Sequence, residues 1–159
     1  MKQTIKTLTA LVLGITILFS CSKDNDEAKG KSKTELLTNG SWKLAAYTSN
    51  PADDWDGDGV KETDFYKVME TCEKDDITTF KTNGDVVFDY KTLCDYDSGP
   101  QTETEKWDFT NNETTLRIKY NDTDIDTYQI VELTASTLKV RDTYTYEGIT
   151  YTEEITYTH

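Results

Sequence analysis

Apolar and polar positions alternate with a period of two along most of this chain, and the first segment is the exception. Leu8 to Phe19 is a predominantly apolar run with Lys2 and Lys6 in front of it. From Trp42 onward, Trp42, Leu44 and Ala46 alternate with Lys43, Ala45 and Tyr47, which predicts a strand with two distinct faces. Ile77 to Phe80 and Asp85 to Tyr90 flank Thr82-Asn83-Gly84, and an Asn-Gly pair between two such runs predicts a hairpin. Trp107 to Phe109 and Leu116 to Tyr120 read as strands around the turn Asn111-Asn112. Ile125 to Leu133 and Thr137 to Tyr144 follow, split by Thr134-Ala135-Ser136, and Ile149 to Tyr157 comes after the turn Glu147-Gly148. Thr34 to Leu37 predicts a short helical turn, with Thr34 as its cap and Asn39-Gly40 as its stop. Pro51 to Thr63 and Leu93 to Glu103 read as loops.

About eight consecutive strands with short connections predict an all-β, antiparallel fold, either an up-and-down barrel or a meander sandwich. No βαβ alternation is present, which disfavours a parallel sheet. A closed barrel would also leave no free strand edge in a sequence so rich in Tyr and Thr. The last hairpin fixes a register. A two-residue turn at Glu147-Gly148 pairs Tyr144 with Tyr151, Asp142 with Glu153 and Val140 with Ile155. Leu138, Val140, Ile155 and Tyr157 mark that face as inward, so Asp142 and Glu153 are expected inside. Arg141 and Glu154 are expected to pair on the outer face.

The first segment ends Leu18-Phe19-Ser20-Cys21. A positive start, a short apolar stretch and a small residue before Cys resemble a bacterial lipoprotein signal. That resemblance implies cleavage after residue 20 and acylation of Cys21, which anchors the chain to the membrane. The stretch is about a dozen residues, short of the roughly 20 that a spanning helix needs. An A-x-A-like site for a plain secretory leader is absent. Residues 21–33, beginning Cys21-Ser22-Lys23-Asp24, are polar and read as a flexible tether. The Lys-plus-acid pattern also resembles the signal that sends many Bacteroidota lipoproteins to the cell surface. The expected location is therefore the outer membrane, facing outward or toward the periplasm. Residues 34–159 remain for the barrel domain, a common single-domain length.

Charge narrows the partners. Of 17 basic residues, Lys2 and Lys6 leave with the leader, so 15 face 30 acidic residues and the net charge falls to −15. Such a chain is a poor partner for nucleic acid or anionic headgroups, and it is expected to act as a monomer. Cys72 and Cys94 are the two cysteines left after Cys21, an even pair in an oxidising compartment, so a disulfide is expected. The single histidine, His159, excludes Ser-His-Asp and Cys-His chemistry of the usual kind and a His-rich metal site.

The chain resembles the lipocalin-like domains of Bacteroidota lipoproteins. The resemblance rests on Gly40-Ser41-Trp42-Lys43-Leu44, Asp56-Gly57-Asp58-Gly59 and Cys72-Glu73-Lys74-Asp75-Asp76. It continues through Thr79-Phe80 with Asn83-Gly84, Cys94, Trp107 and the Leu133 to Leu138 turn. It implies a small β-barrel on a lipid tether. The Gly40-Ser41-Trp42 spacing also fits the Gly-x-Trp that true lipocalins carry near their first strand.

Asp54-Trp55-Asp56-Gly57-Asp58-Gly59 matches the front half of an EF-hand-type calcium loop. Alternate Asp residues let three carboxylates converge on one hard cation, and Gly59 permits the sharp turn. Val60 would offer its backbone carbonyl and Glu62 a water-mediated contact. The twelfth position is Phe65 instead of Glu, and Asp64 is its nearest substitute. Clustered carboxylates repel one another unless a cation neutralises them. The expectation is a structural calcium of weak affinity, about 10⁻⁴ M. The alternative use of the loop, with Trp55 at its edge, is contact with a glycan.

Tyr90, Tyr120, Tyr144, Tyr151, Trp107 and Phe109 are candidates to line a cavity. Tyr144, Asp142, Tyr151, Glu153 and Trp107 are the ligand-binding set the pattern favours. Asp142 and Glu153 are also the raw material of acid/base chemistry, but their place near a hairpin end predicts a wet barrel mouth. The expected function is therefore non-enzymatic: a lipid-anchored binding module for a small molecule or glycan. The alternative is an interaction subunit of a surface assembly with a filled barrel.

Overall fold

A computed structural model describes residues 30–159. The predicted leader, Cys21 and most of the tether lie outside the described residues. The order of elements is α1 (Lys33–Leu37), β1 (Trp42–Asp53), β2 (Glu62–Asp64), α2 (Phe65–Val68), α3 (Thr71–Lys74), β3 (Ile77–Phe80) and β4 (Asp85–Asp89). Then come β5 (Thr102–Thr110), β6 (Thr115–Lys119), β7 (Ile125–Leu133), β8 (Thr137–Tyr146) and β9 (Ile149–Thr158). Each strand from β3 to β9 pairs antiparallel with the next, and β9 returns to β1. The result is a closed eight-stranded antiparallel barrel, as the sequence predicts, with β2 as a short ninth strand. β2 and β3 share one edge of the long β1. β3 meets its start at Trp42 and Lys43, and β2 meets its far half at Thr48 and Asp53.

The last hairpin has the expected register: Val140 faces Ile155, Arg141 faces Glu154, Asp142 faces Glu153 and Tyr144 faces Tyr151. Its turn residues Glu147 and Gly148 both have positive φ, the conformation that matches the twist of paired strands. Arg141 donates to Glu154 on the outer wall at 2.5 Å, and Lys139 joins the same carboxylate at 2.6 Å.

Four local features differ from the sequence pattern. The helix α1 starts earlier, with Ser32 rather than Thr34 as its cap. Ser32 and Glu35 form a reciprocal capping box, which satisfies two backbone donors at once. β1 runs on to Asp53, into the predicted loop, because β9 pairs with it as far as Asn50 and β2 pairs with it at Asp53. The two short helices α2 and α3 replace the expected coil before β3. The register of β1 against β9 shifts between Leu44 and Ala46. That irregularity inverts the faces beyond it, so Tyr47 lies opposite Ile155 and is half-buried, where strict alternation would point it outward.

The main core sits at one end of the barrel. Leu37, Trp42, Phe80, Val86, Leu116 and Leu138 are buried there with Trp107. α1 covers this end. The Trp42 indole donates to the Leu37 carbonyl at 2.8 Å, and Lys33 donates to the Glu113 carbonyl in the β5–β6 turn. His159 stacks on Trp42 with ring centroids 4.0 Å apart and donates to the Ser41 carbonyl. Gly40 has φ +122°, and a Cβ there would come within 2.9 Å of the His159 ring. Gly40-Ser41-Trp42 is thus a packing motif: the glycine leaves room for the ring that seals the tryptophan.

Candidate functional site: the barrel interior and its mouth

A cavity of about 130 Å³ lies inside the barrel, walled in part by this core. Its walls are Trp42, Phe80, Phe88, Leu116, Ile118, Leu138 and Val140, with the tyrosines Tyr120, Tyr128 and Tyr157. A second recess of about 360 Å³ shares Thr78, Phe88 and Tyr157 with it and forms the mouth. The Cys72–Cys94 disulfide, Tyr47 and Tyr90 border that mouth, together with the carboxylates of Glu73, Asp76 and Asp97. The bridge, expected from cysteine counting, ties α3 to the loop after β4. Burial and the nearby carboxylates, first Asp75 and then Asp97, push the Asp76 carboxyl up to about 6.

The inner face of each wall strand changes character along its length. β5 reads Glu103, Glu105, Trp107, Phe109 on its inward positions, and β7 reads Asp126, Tyr128, Ile130. In β9 the inward positions run Tyr151, Glu153, Ile155, Tyr157. Acids stand toward the mouth and apolar residues toward the closed end. Tyrosine hydroxyls hold three of the carboxylates. Tyr90 donates to Glu103 at 2.9 Å, and Tyr120 and Tyr128 both donate to Asp126 at 3.1 Å. Tyr47 and Tyr144 donate to Glu153 at 2.5 and 2.8 Å. Burial, followed by the adjoining carboxylate, raises these phenols above the ordinary tyrosine range, Tyr90 to about 12. They therefore remain donors at neutral pH.

Four of the five ligand-binding residues expected from sequence meet on the β8–β9 wall. Tyr144 stacks on Tyr151 with centroids 5.4 Å apart and bonds Glu153, which lies across from Asp142. Asp142 accepts from the Thr143 amide at 2.7 Å. None of the four lines the apolar cavity. Trp107 is apart from them and belongs to the core. It packs between Phe80 and Phe109, and its indole donates to the Lys81 carbonyl at 3.0 Å. Of the six candidate aromatic residues, Tyr120 lines the cavity and Tyr90 the mouth. Tyr128, Asp126, Glu103 and Tyr47 were not singled out by the pattern. Period-two inward spacing on β5 and β7 carried the signal for the first three, and the irregularity in β1 hid the fourth.

The acidic loop lies next to the mouth. Carboxylate oxygens of Asp54, Asp56 and Asp58 fall within 4.8 Å of one another. Asp54 accepts from the Gly59 amide at 3.0 Å and Asp58 from the Val60 amide at 2.7 Å. Gly57 and Gly59 take positive φ, which lets the loop turn this tightly. One oxygen of Asp54 and one of Glu62 are buried without a partner. Burial first, then Asp56, Asp58 and Asp54, raises the Glu62 carboxyl. Asp64 turns away to Lys67 at 2.9 Å, and Phe65 is core. Trp55 stacks on Phe65 and meets the edge of Tyr47, with centroids 5.1 Å apart in both cases. The loop is thereby packed against the tyrosine that holds Glu153.

The model of the lipocalin-like domain matches residues 38–140. No curated protein matches the chain. Among solved structures, a lipocalin-like protein from Bacteroides uniformis ATCC 8492 is 19% identical, covers 78% of this chain and 99% of its own, and has a TM-score of 0.43. Bovine odorant binding protein complexed with its natural ligand is 16% identical, with 80% of this chain and 73% of that one covered and a TM-score of 0.42. The same bovine protein with undecanal is also 16% identical, with 81% and 74% covered and a TM-score of 0.43. The closed antiparallel barrel and a family match over most of the chain show that this protein belongs to the lipocalin-like domain family.

Proposed function

We propose that this protein is a lipid-anchored binding protein of the cell envelope, which takes one small organic molecule into its barrel and performs no chemistry on it. The observation that carries this reading is the cavity of about 130 Å³, lined by apolar and aromatic side chains and adjoining a polar mouth. Concave, mostly apolar sites with a few convergent polar groups are the usual form of small-molecule sites. An apolar cavity of about 150 Å³ accommodates benzene, so the fit here is a compound of about one ring. The lipocalin-like family and the ligand-bound bovine odorant binding protein are in keeping with that use. Cys21 supplies the anchor to the outer membrane in this reading.

Calcium completes the proposal as a structural ion of the acidic loop. Asp54, Asp56 and Asp58 would hold it, with Glu62 beside them and the Val60 carbonyl as a further ligand. The unpartnered buried oxygens of Asp54 and Glu62 support this, because a buried carboxylate oxygen without a donor is costly. The role of Asp64 passes to Glu62, since Asp64 is paired with Lys67.

Native mass spectrometry of the protein purified without chelator tests both parts. An organic adduct and a calcium adduct are expected. Absence of an organic adduct, together with no thermal shift across a library of single-ring compounds, would overturn the binding reading. An unchanged melting temperature on chelation would remove the calcium. Cys21→Ala should release the protein from the membrane fraction, and retention there would refute the anchor.

A further inference from the structure

Charge is sorted across the barrel wall. All six Lys and Arg residues on the strands, Lys43, Lys106, Arg117, Lys119, Lys139 and Arg141, occupy outward positions. Their acidic partners Asp85, Asp108 and Glu154 lie on that same outer face. Inward positions carry Glu103, Glu105, Asp126, Asp142 and Glu153 instead. Tyrosine hydroxyls hold Glu103, Asp126 and Glu153 in place, but a phenol donates one hydrogen bond and cancels no charge. Toward the open end, the inward strand positions therefore carry acids and no base, and the same barrel holds an apolar, aromatic cavity.

Two further observations point to an occupant. Tyr157 is half-buried, lines both the cavity and the mouth, and its hydroxyl makes no hydrogen bond among the described residues. Tyr120 and Tyr128 line the cavity and both donate their hydroxyls to Asp126, which links that carboxylate to two of the cavity's walls. Aromatic faces attract cations, and the more so where water is excluded. Low-dielectric walls lined by one sign of charge concentrate ligands of the opposite sign. A carboxylate ligand would meet like charge toward the open end. A neutral one would leave those acids uncompensated.

We propose that the ligand is a small organic cation, an amine with an apolar body of about one ring. The body occupies the cavity between Phe88, Leu116 and Val140. The ammonium group rests at Asp126, among the faces of Tyr120, Tyr128 and Tyr157, with Glu103 and Glu153 supplying the surrounding field. This assignment rests on the barrel being a binding site, and it names the class of compound bound.

Calorimetry on the purified protein with three probes of one shape tests it: benzylamine, benzyl alcohol and benzoate. Benzylamine is expected to bind at least about 10-fold more tightly than benzyl alcohol, a difference of roughly 1.4 kcal/mol, and benzoate more weakly than either. Asp126→Asn keeps an acceptor for both tyrosines and removes the charge, so the amine's advantage over the alcohol should shrink. If that variant does not fold, Glu103→Gln and the wild-type probe ranking carry the same test. Equal or tighter binding of benzyl alcohol would overturn the cation assignment and leave a neutral-ligand barrel standing. Binding by none of the probes, with no organic adduct on the native protein, would overturn both readings.

Discussion

The two ends of this barrel are built from the same strands and have opposite chemistry. At the closed end Trp42, Phe80, Val86, Leu116 and Leu138 are buried, and α1 and His159 cover them. At the mouth the same strands present Glu103, Asp126, Asp142 and Glu153 inward, bordered by tyrosines and a disulfide. Burial of apolar area holds the first end together. Carboxylates facing one another inside a wall oppose folding, so the second end depends on tyrosine donors and a covalent bridge. The two ends are not independent, because Trp42, Phe80, Leu116 and Leu138 of the closed end also wall the cavity, so a change there should disturb the cavity as well.

The sharpest break in that comparison is Trp42→Ala. It removes a fully buried indole and its bond to Leu37, and should cost about 3–5 kcal/mol, read as a loss of denaturant midpoint. An effect under about 1 kcal/mol would mean the closed end is not the stabilising half. Reduction of Cys72–Cys94 should follow at about 3 kcal/mol, from the 22-residue separation it closes. Thermal unfolding with and without reductant measures it, and amide exchange should show protection lost first around the mouth.

Asp76→Asn should act in the other direction. In the folded protein this carboxyl is held at about 6, above its ordinary value of 3.8. Between those values the folded state binds a proton that the unfolded chain has released, so stability falls as pH rises through that window. Removing the charge should therefore raise the melting temperature by a few degrees at about pH 7, and the gain should vanish below about pH 4. The outer wall has the opposite sign. Lys139 and Arg141 hold the Glu154 carboxyl below its usual range, so its contribution is present at neutral pH and lost on acidification. Arg141→Ala should cost no more than about 1 kcal/mol, because the pair is partly exposed. A larger loss would show that the wall, and not only the closed end, carries the fold.

Much of the barrel was legible because a period of two and a turn pair such as Glu147-Gly148 leave little freedom. The β8–β9 register follows from those alone, and with it the opposition of Asp142 and Glu153. Tyr47 was not legible, since an irregularity at residues 44–46 reverses the faces of β1 without any glycine or proline to announce it. Trp107 is a related case. An inward aromatic residue can line a cavity or fill the core, and only its bond to Lys81 and its contacts with Phe80 and Phe109 distinguish the two.

The antiparallel strand order, the pairing of Cys72 with Cys94 and the acidic loop at Asp54, Asp56 and Asp58 can all be read along the chain. These depend on local periodicity, turn chemistry and counting. Where the cavity lies, which tyrosines surround it, and that Glu103, Asp126 and Glu153 all face the interior depend on the tertiary structure. Those residues are spread over β5, β7 and β9, and only closure of the sheet onto β1 gives them a common interior.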